Sequence, residues 1–217
     1  MELENLRDLI KSRRSIRQWQ DKEVPDELLI QAVELATWAP NGGNQQNWHF
    51  YIIKNHAIIE TFADMVQSTV DAVATWPEAA NFKEFAKRQQ ERSSFFRNAP
   101  AAIAVSAAQY DSPLEQILLA REKTDPQAGQ WNQWRRISNT RIQSVASAIA
   151  YLLLILHQMG LGAVWMTGPM HTKGKLEKLL KVPENTDIVA FIPVGYPAEI
   201  PEYKGRKAVS EVCDVIS

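Results

Sequence analysis

The sequence predicts a single α+β domain of mixed α and β layers, and two observations carry that. Its strand-like runs are few and short, and stretches of helical periodicity separate each from the next. No repeat, low-complexity linker or composition shift divides the 217 residues, a length that suits one large domain.

The elements follow in chain order. Leu3 to Lys11 places Leu3, Leu6, Leu9 and Ile10 on one helical face. Val24-Pro25-Asp26-Glu27 starts a second helix, with proline in the first turn and acids beside the positive end of the dipole. That helix runs to about Trp38 and is stopped by Pro40 and the Gly42-Gly43 pair. Trp48 to Lys54 is aromatic and β-branched and reads as a strand. Ile58 to Arg97 reads as helix in two or more pieces, broken near Trp76-Pro77. Ala101 to Ala107 is a small, apolar strand, and Ser112 to Asn132 is less regular. Ser138 to Met159 is a long helix whose apolar run, Val145 to Leu156, is interrupted only by Ser147. A membrane span needs roughly 20 apolar residues, so this run reads as a buried helix. A short strand at Ala163 to Met166, an amphipathic helix at Lys173 to Leu180 and a strand at Asp187 to Tyr196 follow. The tail from Pro197 to Pro201 looks extended and able to lie on a partner subunit. Of the aromatic residues Trp76, Phe82, Phe85, Phe95, Phe96, Trp131 and Trp134, most are expected in the core. Trp131 and Trp134, in a Gly- and Gln-rich segment, are also candidates for a ligand lid.

The bulk numbers exclude several classes. A net charge of -1 gives no basic field for nucleic acid or an anionic membrane. One cysteine, Cys213, rules out an internal disulfide and a cysteine-rich metal site. His49, His56, His157 and His171 lack metal-ligand spacing, so no metal is expected, and His157 reads as a core residue. Residues 1 to 11 lack the apolar stretch of a secretory signal, and the expected setting is cytoplasmic. No Gly-x-Gly-x-x-Gly follows a strand, there is no Walker loop, and no nucleophile elbow supports a hydrolase.

Two segments carry polar chemistry. Arg13-Arg14-Ser15-Ile16-Arg17 packs guanidinium forks and a hydroxyl into five residues, a set that matches phosphate oxygens. The same run also suits a solvated basic patch at a helix end. Asn41-Gly42-Gly43-Asn44-Gln45-Gln46-Asn47 offers amide donors and acceptors for the edge of a flat heterocycle, with glycines that permit close approach. It also suits a plain polar turn before a strand.

In this order, the segments resemble the FMN-dependent nitroreductase family. The likeness rests on Arg13 to Arg17, Ala39 to Trp48, Met159 to Gly162 with Trp165 to Pro169, and Gly195-Tyr196-Pro197 followed by Lys204-Gly205-Arg206. It covers Leu6 to about Val212. It implies an α+β fold with a mixed, mainly antiparallel sheet flanked by helices, in an intertwined homodimer with an exchanged C-terminal tail and FMN at the interface. The whole chain, 1–217, would be one FMN-binding domain, with about 62–136 as a variable segment shaping the substrate pocket. By this likeness Arg13, Ser15 and Arg206 would hold the phosphate and ribityl chain, and Arg14 and Lys204 belong to the same cofactor-binding set, Arg14 without a clear task. Arg17 would tune the ring electrostatically. Asn44 and Gln46 would meet the ring edge, Pro40 and Asn41 would come from the partner, and Met166, Thr167 and Gly168 would line the ring face. The implied activity is hydride transfer from NADH or NADPH to a small electron-poor acceptor by a ping-pong scheme, with no catalytic side chain. A dehalogenating or flavin-consuming relative, or a flavin-binding module without turnover, are the alternatives. The sequence departs from the family pattern at Asn47, often proline. It departs again near Ser144, where an acid is common, and at Gly168, where the deiodinases carry a hydroxyl.

Overall fold

A four-stranded sheet of order β1-β2-β4-β3, antiparallel throughout, organises the computed structural model, which describes residues 2–216. The strands are β1 (Trp48–Ile53), β2 (Ala101–Ala108), β3 (Gly162–Ala163) and β4 (Thr186–Gly195). One parallel bridge, Ser15 to Ala163, joins these antiparallel ladders, which agrees with the expected mixed, mainly antiparallel sheet. The helices are α1 (Leu3–Ser12), α2 (Asp26–Ala36), α3 (His56–Ala74), α4 (Lys83–Arg92), α5 (Pro113–Arg121), α6 (Pro126–Ser138), α7 (Thr140–Gln158) and α8 (Lys173–Leu180).

The period-two alternation of β2 sorts the core into two layers. Ala101, Ile103, Val105 and Ala107 face Leu29, Ala32 and Ala36 of α2 and Val145, Ile149, Leu152 and Leu156 of α7. Ala102 and Ala104 face Ile59, Phe62 and Val66 of α3 and Leu176 of α8, where the rings of Phe62, Phe96 and Phe191 tilt together. Small alanines in the central strand let both helical layers approach closely. Pro126–Gln158, taken as one stretch, is long and apolar enough to cross a membrane. Left-handed Asn139 (φ 41) splits it, and the apolar stripe of α7 packs on the sheet as the buried helix expected.

Four expectations are corrected. Ser112 to Asn132 is not irregular: it contains α5 and the start of α6. The Ser112 hydroxyl accepts the Glu115 N–H, the Asp125 carboxylate accepts the Gln127 N–H, and a proline follows each cap. The aromatic residues of the middle third are mostly outside the core. Only Phe96 is fully buried, whereas Trp76, Phe82, Phe85, Trp131 and Trp134 are exposed, because α4, α5 and α6 project from the two core layers. His157 is only half-buried, at the end of α7 rather than within its core stripe, and its Nε2 lies 2.9 Å from the Ser12 hydroxyl. The short strand after Gly160 is laddered only at Gly162–Ala163, and Met166 bridges separately to Phe191.

Candidate functional site

The arginine run is an extended edge segment. The Arg13 N–H still caps α1 through the Leu9 carbonyl, and the chain then straightens at φ -58, ψ 131. On one side the Ile16 N–H donates to Ala163 O (3.1 Å) and the Trp19 indole to Gly162 O (2.8 Å). A Cβ on Gly162 would sit 2.6 Å from the Ile16 side chain, so only glycine permits this approach. On the other side the Gln20 N–H donates to Tyr196 O and the Ala198 N–H to Gln18 O. The Glu199 carboxylate accepts the N–H groups of Arg17 (2.6 Å) and Gln18 (3.2 Å). The run is thus stitched on both sides, with Ile16 and Trp19 buried and Arg17 exposed.

A cluster of guanidiniums gathers at its start. Burial, then the charge of Arg206, then that of Arg14 hold the Arg13 guanidinium below its usual range. Arg14 Nη1 donates to Lys11 O (2.6 Å) and Arg13 O (2.9 Å), and its guanidinium lies 4.9 Å from the Tyr203 ring centroid. Arg206 Nη1 donates to Gly205 O, in a turn set by left-handed Gly205 (φ 76). Burial, then Arg13 and Arg14, push the His157 imidazole down. Among the described residues, none of Arg13, Arg14, Arg17, Lys204 and Arg206 forms an ion pair with a carboxylate. The other cationic sites of the chain include several that do, such as Arg141 and Lys173 on Asp187. Ser15 is half-buried within the same run.

The amide loop divides its labour. Gln45 and Asn47 are structural. The Gln45 carboxamide bonds the backbone of Asp111 at both its N–H and its C=O, and Asn47 is buried and donates to Ala108 O. Asn41 accepts the Gln46 N–H at 2.9 Å. Asn44 (φ 52) and Gln46 (φ 47) are left-handed and exposed, so the loop presents these two to solvent. Two hydroxyls of α7 fix the loop backbone: Ser144 Oγ accepts the Gly42 N–H (3.0 Å) and Ser147 Oγ donates to Pro40 O (2.6 Å). Ser144 therefore supplies the acceptor at the position where the family often carries an acid. Ser147 was visible as the sole interruption of an apolar run, although its role was not.

Met166 is anchored by two hydrogen bonds to the Phe191 backbone, both 3.0 Å. Thr167 and Gly168 follow it exposed, and a Cβ on Gly168 would meet nothing within 4 Å. That open face suits a flat ring. Trp131 and Trp134 lie on one exposed side of α6. An open cavity of about 470 Å³, lined by Tyr110, Glu115, Asn132, Arg135 and Arg141, lies between α5, α6 and the start of α7, largely within the segment expected to shape the substrate pocket. Tyr110 also packs against Gly42, where an added Cβ would approach it within 3.0 Å, which places this cavity beside the amide loop.

Comparison with known proteins agrees with this geometry. A profile described as the nitroreductase family matches residues 10–196. The chain is 31% identical over 197 residues to a "Putative NADH dehydrogenase/NAD(P)H nitroreductase" of Methanothermobacter thermautotrophicus, covering 89% of this chain and 78% of that protein. It is 26% identical over 214 residues to an iodotyrosine deiodinase of Thermotoga neapolitana, covering 94% and 95% of the two chains. A crystal structure of a BluB-like flavoprotein from Clostridium difficile 630 superposes with a TM-score of 0.84 at 26% identity, over the full length of both chains.

Proposed function

This chain belongs to the nitroreductase family and is an NAD(P)H-dependent oxidoreductase; from that premise we propose that it binds FMN and passes hydride from NADH or NADPH to an electron-poor acceptor. Nitroaromatics, quinones and activated alkenes are the acceptor classes. The observation that carries the reading is the set of guanidiniums at Arg13, Arg14 and Arg206, none of which pairs with a carboxylate among the described residues. Like charges gathered without a counter-ion are costly in a partly buried site. A phosphate dianion removes that cost and matches the planar forks of arginine. A phosphate at this end and a flat ring over the open face at Gly168 describe the two ends of FMN.

The chain's own residues bind, orient and tune. Arg13, Ser15 and Arg206, with Lys204 near, hold the phosphate arm. Arg17, its backbone fixed by Glu199, sets a positive charge toward the ring. Met166, locked to Phe191, aims Thr167 and Gly168 at the ring face. Asn44 and Gln46 meet the ring edge, and Pro40 and Asn41 reach the site from the partner copy. When bound, FMN supplies the two-electron carrier, so no side chain is required as an acid or base.

A homodimer fits the surface area. The chain exposes 13996 Å², whereas a 24.6 kDa monomer ordinarily exposes roughly 10,000 Å². In this reading the exchanged C-terminal tail lies on the partner, and Val209, Val212, Val215 and Ile216 are exposed and available to it. The whole chain acts as one domain, with about 62–136 shaping the acceptor pocket, and a cytoplasmic setting suits the NAD(P)H donor. The similarity to deiodinases supports a dehalogenating rival. Gly168, which brings no hydroxyl before Pro169, counts against it.

The test is direct. Purified protein mixed with FMN should retain it as a yellow holoprotein of twice the chain mass in light scattering. NADPH or NADH should bleach it and a quinone restore the colour. A colourless protein after incubation with FMN would sink the reading, and halide release from a halotyrosine would favour the rival.

A further inference from the structure

The C-terminal tail carries Arg206, yet little ties it to the fold. Among the described residues, the Ala198 N–H and the Glu199 carboxylate make its last hydrogen bonds to the body of the chain. Beyond them, hydrogen bonds within residues 200–216 are local, as between Ala208 and Glu211, and Ile200 is 98% exposed. The contact that interrupts this freedom is the Tyr203 ring over the Arg14 guanidinium, at 4.9 Å. Arg14 is itself immobilised, because Nη1 donates to both Lys11 O and Arg13 O and leaves the flat face available for stacking. From Tyr203 only Lys204 and left-handed Gly205 lead to Arg206. Fixing the ring therefore fixes where Arg206 goes.

Resting on the phosphate-site reading above, we propose that Arg14 and Tyr203 form a latch that folds the tail back and delivers Arg206 to Arg13. Arg14 is then a positioning residue, and Tyr203 becomes part of the cofactor site without touching the cofactor. Tail ordering is completed ahead of binding, so its entropy is not charged against the phosphate.

The experiment compares full-length wild type, Tyr203→Ala and Tyr203→Phe for binding of FMN and of riboflavin, which lacks the phosphate, by quenching of flavin fluorescence. Tyr203→Ala should weaken FMN binding by roughly two- to five-fold, the span of an exposed cation–π contact, and leave riboflavin unchanged. Tyr203→Phe should bind FMN as wild type does. In the absence of flavin, trypsin should cut after Lys204 and Arg206 faster in Tyr203→Ala than in wild type or Tyr203→Phe. Equal loss for both flavins, unchanged FMN affinity in Tyr203→Ala, or a Tyr203→Phe variant as weak as Tyr203→Ala would each overturn the latch. If wild type binds no FMN, the cofactor reading fails, and the trypsin comparison decides the latch by itself.

Discussion

The amide loop and the arginine cluster are both polar and both partly exposed, but they settle their polar groups in opposite ways. The loop pairs most of its groups with the protein, Gln45 with Asp111, Asn41 with Gln46, and the serines of α7 with Gly42 and Pro40, while among the described residues the buried Asn47 Oδ1 has no partner. The cluster turns its guanidiniums on backbone carbonyls and an aromatic ring, and no carboxylate answers them. A region that closes its own hydrogen bonds is built to hold a shape. A region left with surplus charge is built to receive an anion. The difference separates preorganisation from affinity, and substitution can pull them apart.

The largest contrast should come from Arg206→Ala. It should weaken FMN binding by about 1.5–3 kcal/mol, the scale of a charged hydrogen bond. Without flavin it should melt no lower than wild type, since it removes repulsion on Arg13. Unchanged FMN affinity by titration calorimetry would show that the tail plays no part in the site. Ser144→Ala should do the reverse. It strips the acceptor from the Gly42 N–H, and thermal melting of the flavin-free protein should show a loss of about 0.5–1.5 kcal/mol. A variant that melts like wild type would mean the loop holds itself without α7.

The smallest effect lies at His157. Burial and the flanking arginines disfavour its cation, so in the flavin-free protein its NMR titration midpoint should fall below the ordinary value of about 6.5. The sign is that of a depressed base: the folded state stays neutral where the unfolded chain takes a proton, so the flavin-free protein loses stability as pH falls below that ordinary value. A phosphate dianion at the cluster should raise the midpoint. A midpoint that ignores FMN would place the anion elsewhere.

Much of this was legible in the sequence, for identifiable reasons. β1, β2 and β4 combine apolar or β-branched runs with proline and glycine punctuation, and their observed bounds fall within a residue or two of those expected. The Trp76-Pro77 break and α8 were equally plain. α5 and α6 were hidden because apolar residues lie on no single side of α5 and α6 carries Gly129; only the Ser112-Pro113 and Asp125-Pro126 caps announced them. The exposed aromatics were misplaced because apolar area on a chain can be meant for surfaces outside its own core. The identity of the arginine run was legible from its composition, but its extended path was not, since Ala163, Tyr196 and Glu199 impose it from far along the chain. Tyr203 gave no sign at all: a lone tyrosine in a tail has meaning only once Arg14 is seen beneath it.

The double stitching of the arginine run has a consequence for the order of folding. Its partners are Gly162 and Ala163 on one side and Tyr196 to Glu199 on the other, and the Arg17–Glu199 contact spans 182 residues. During synthesis the N-terminal run emerges first, meets Gly162 and Ala163 on one side, and gains its second side only when Tyr196 to Glu199 follow. Closing so long a loop is slow and late. The helical layers and central strands can assemble while one seam of the anion site is still open. A chain cut before Tyr196 keeps the seam to Gly162 and Ala163 and loses the one to Tyr196–Glu199, so the arginine run is held on one side alone.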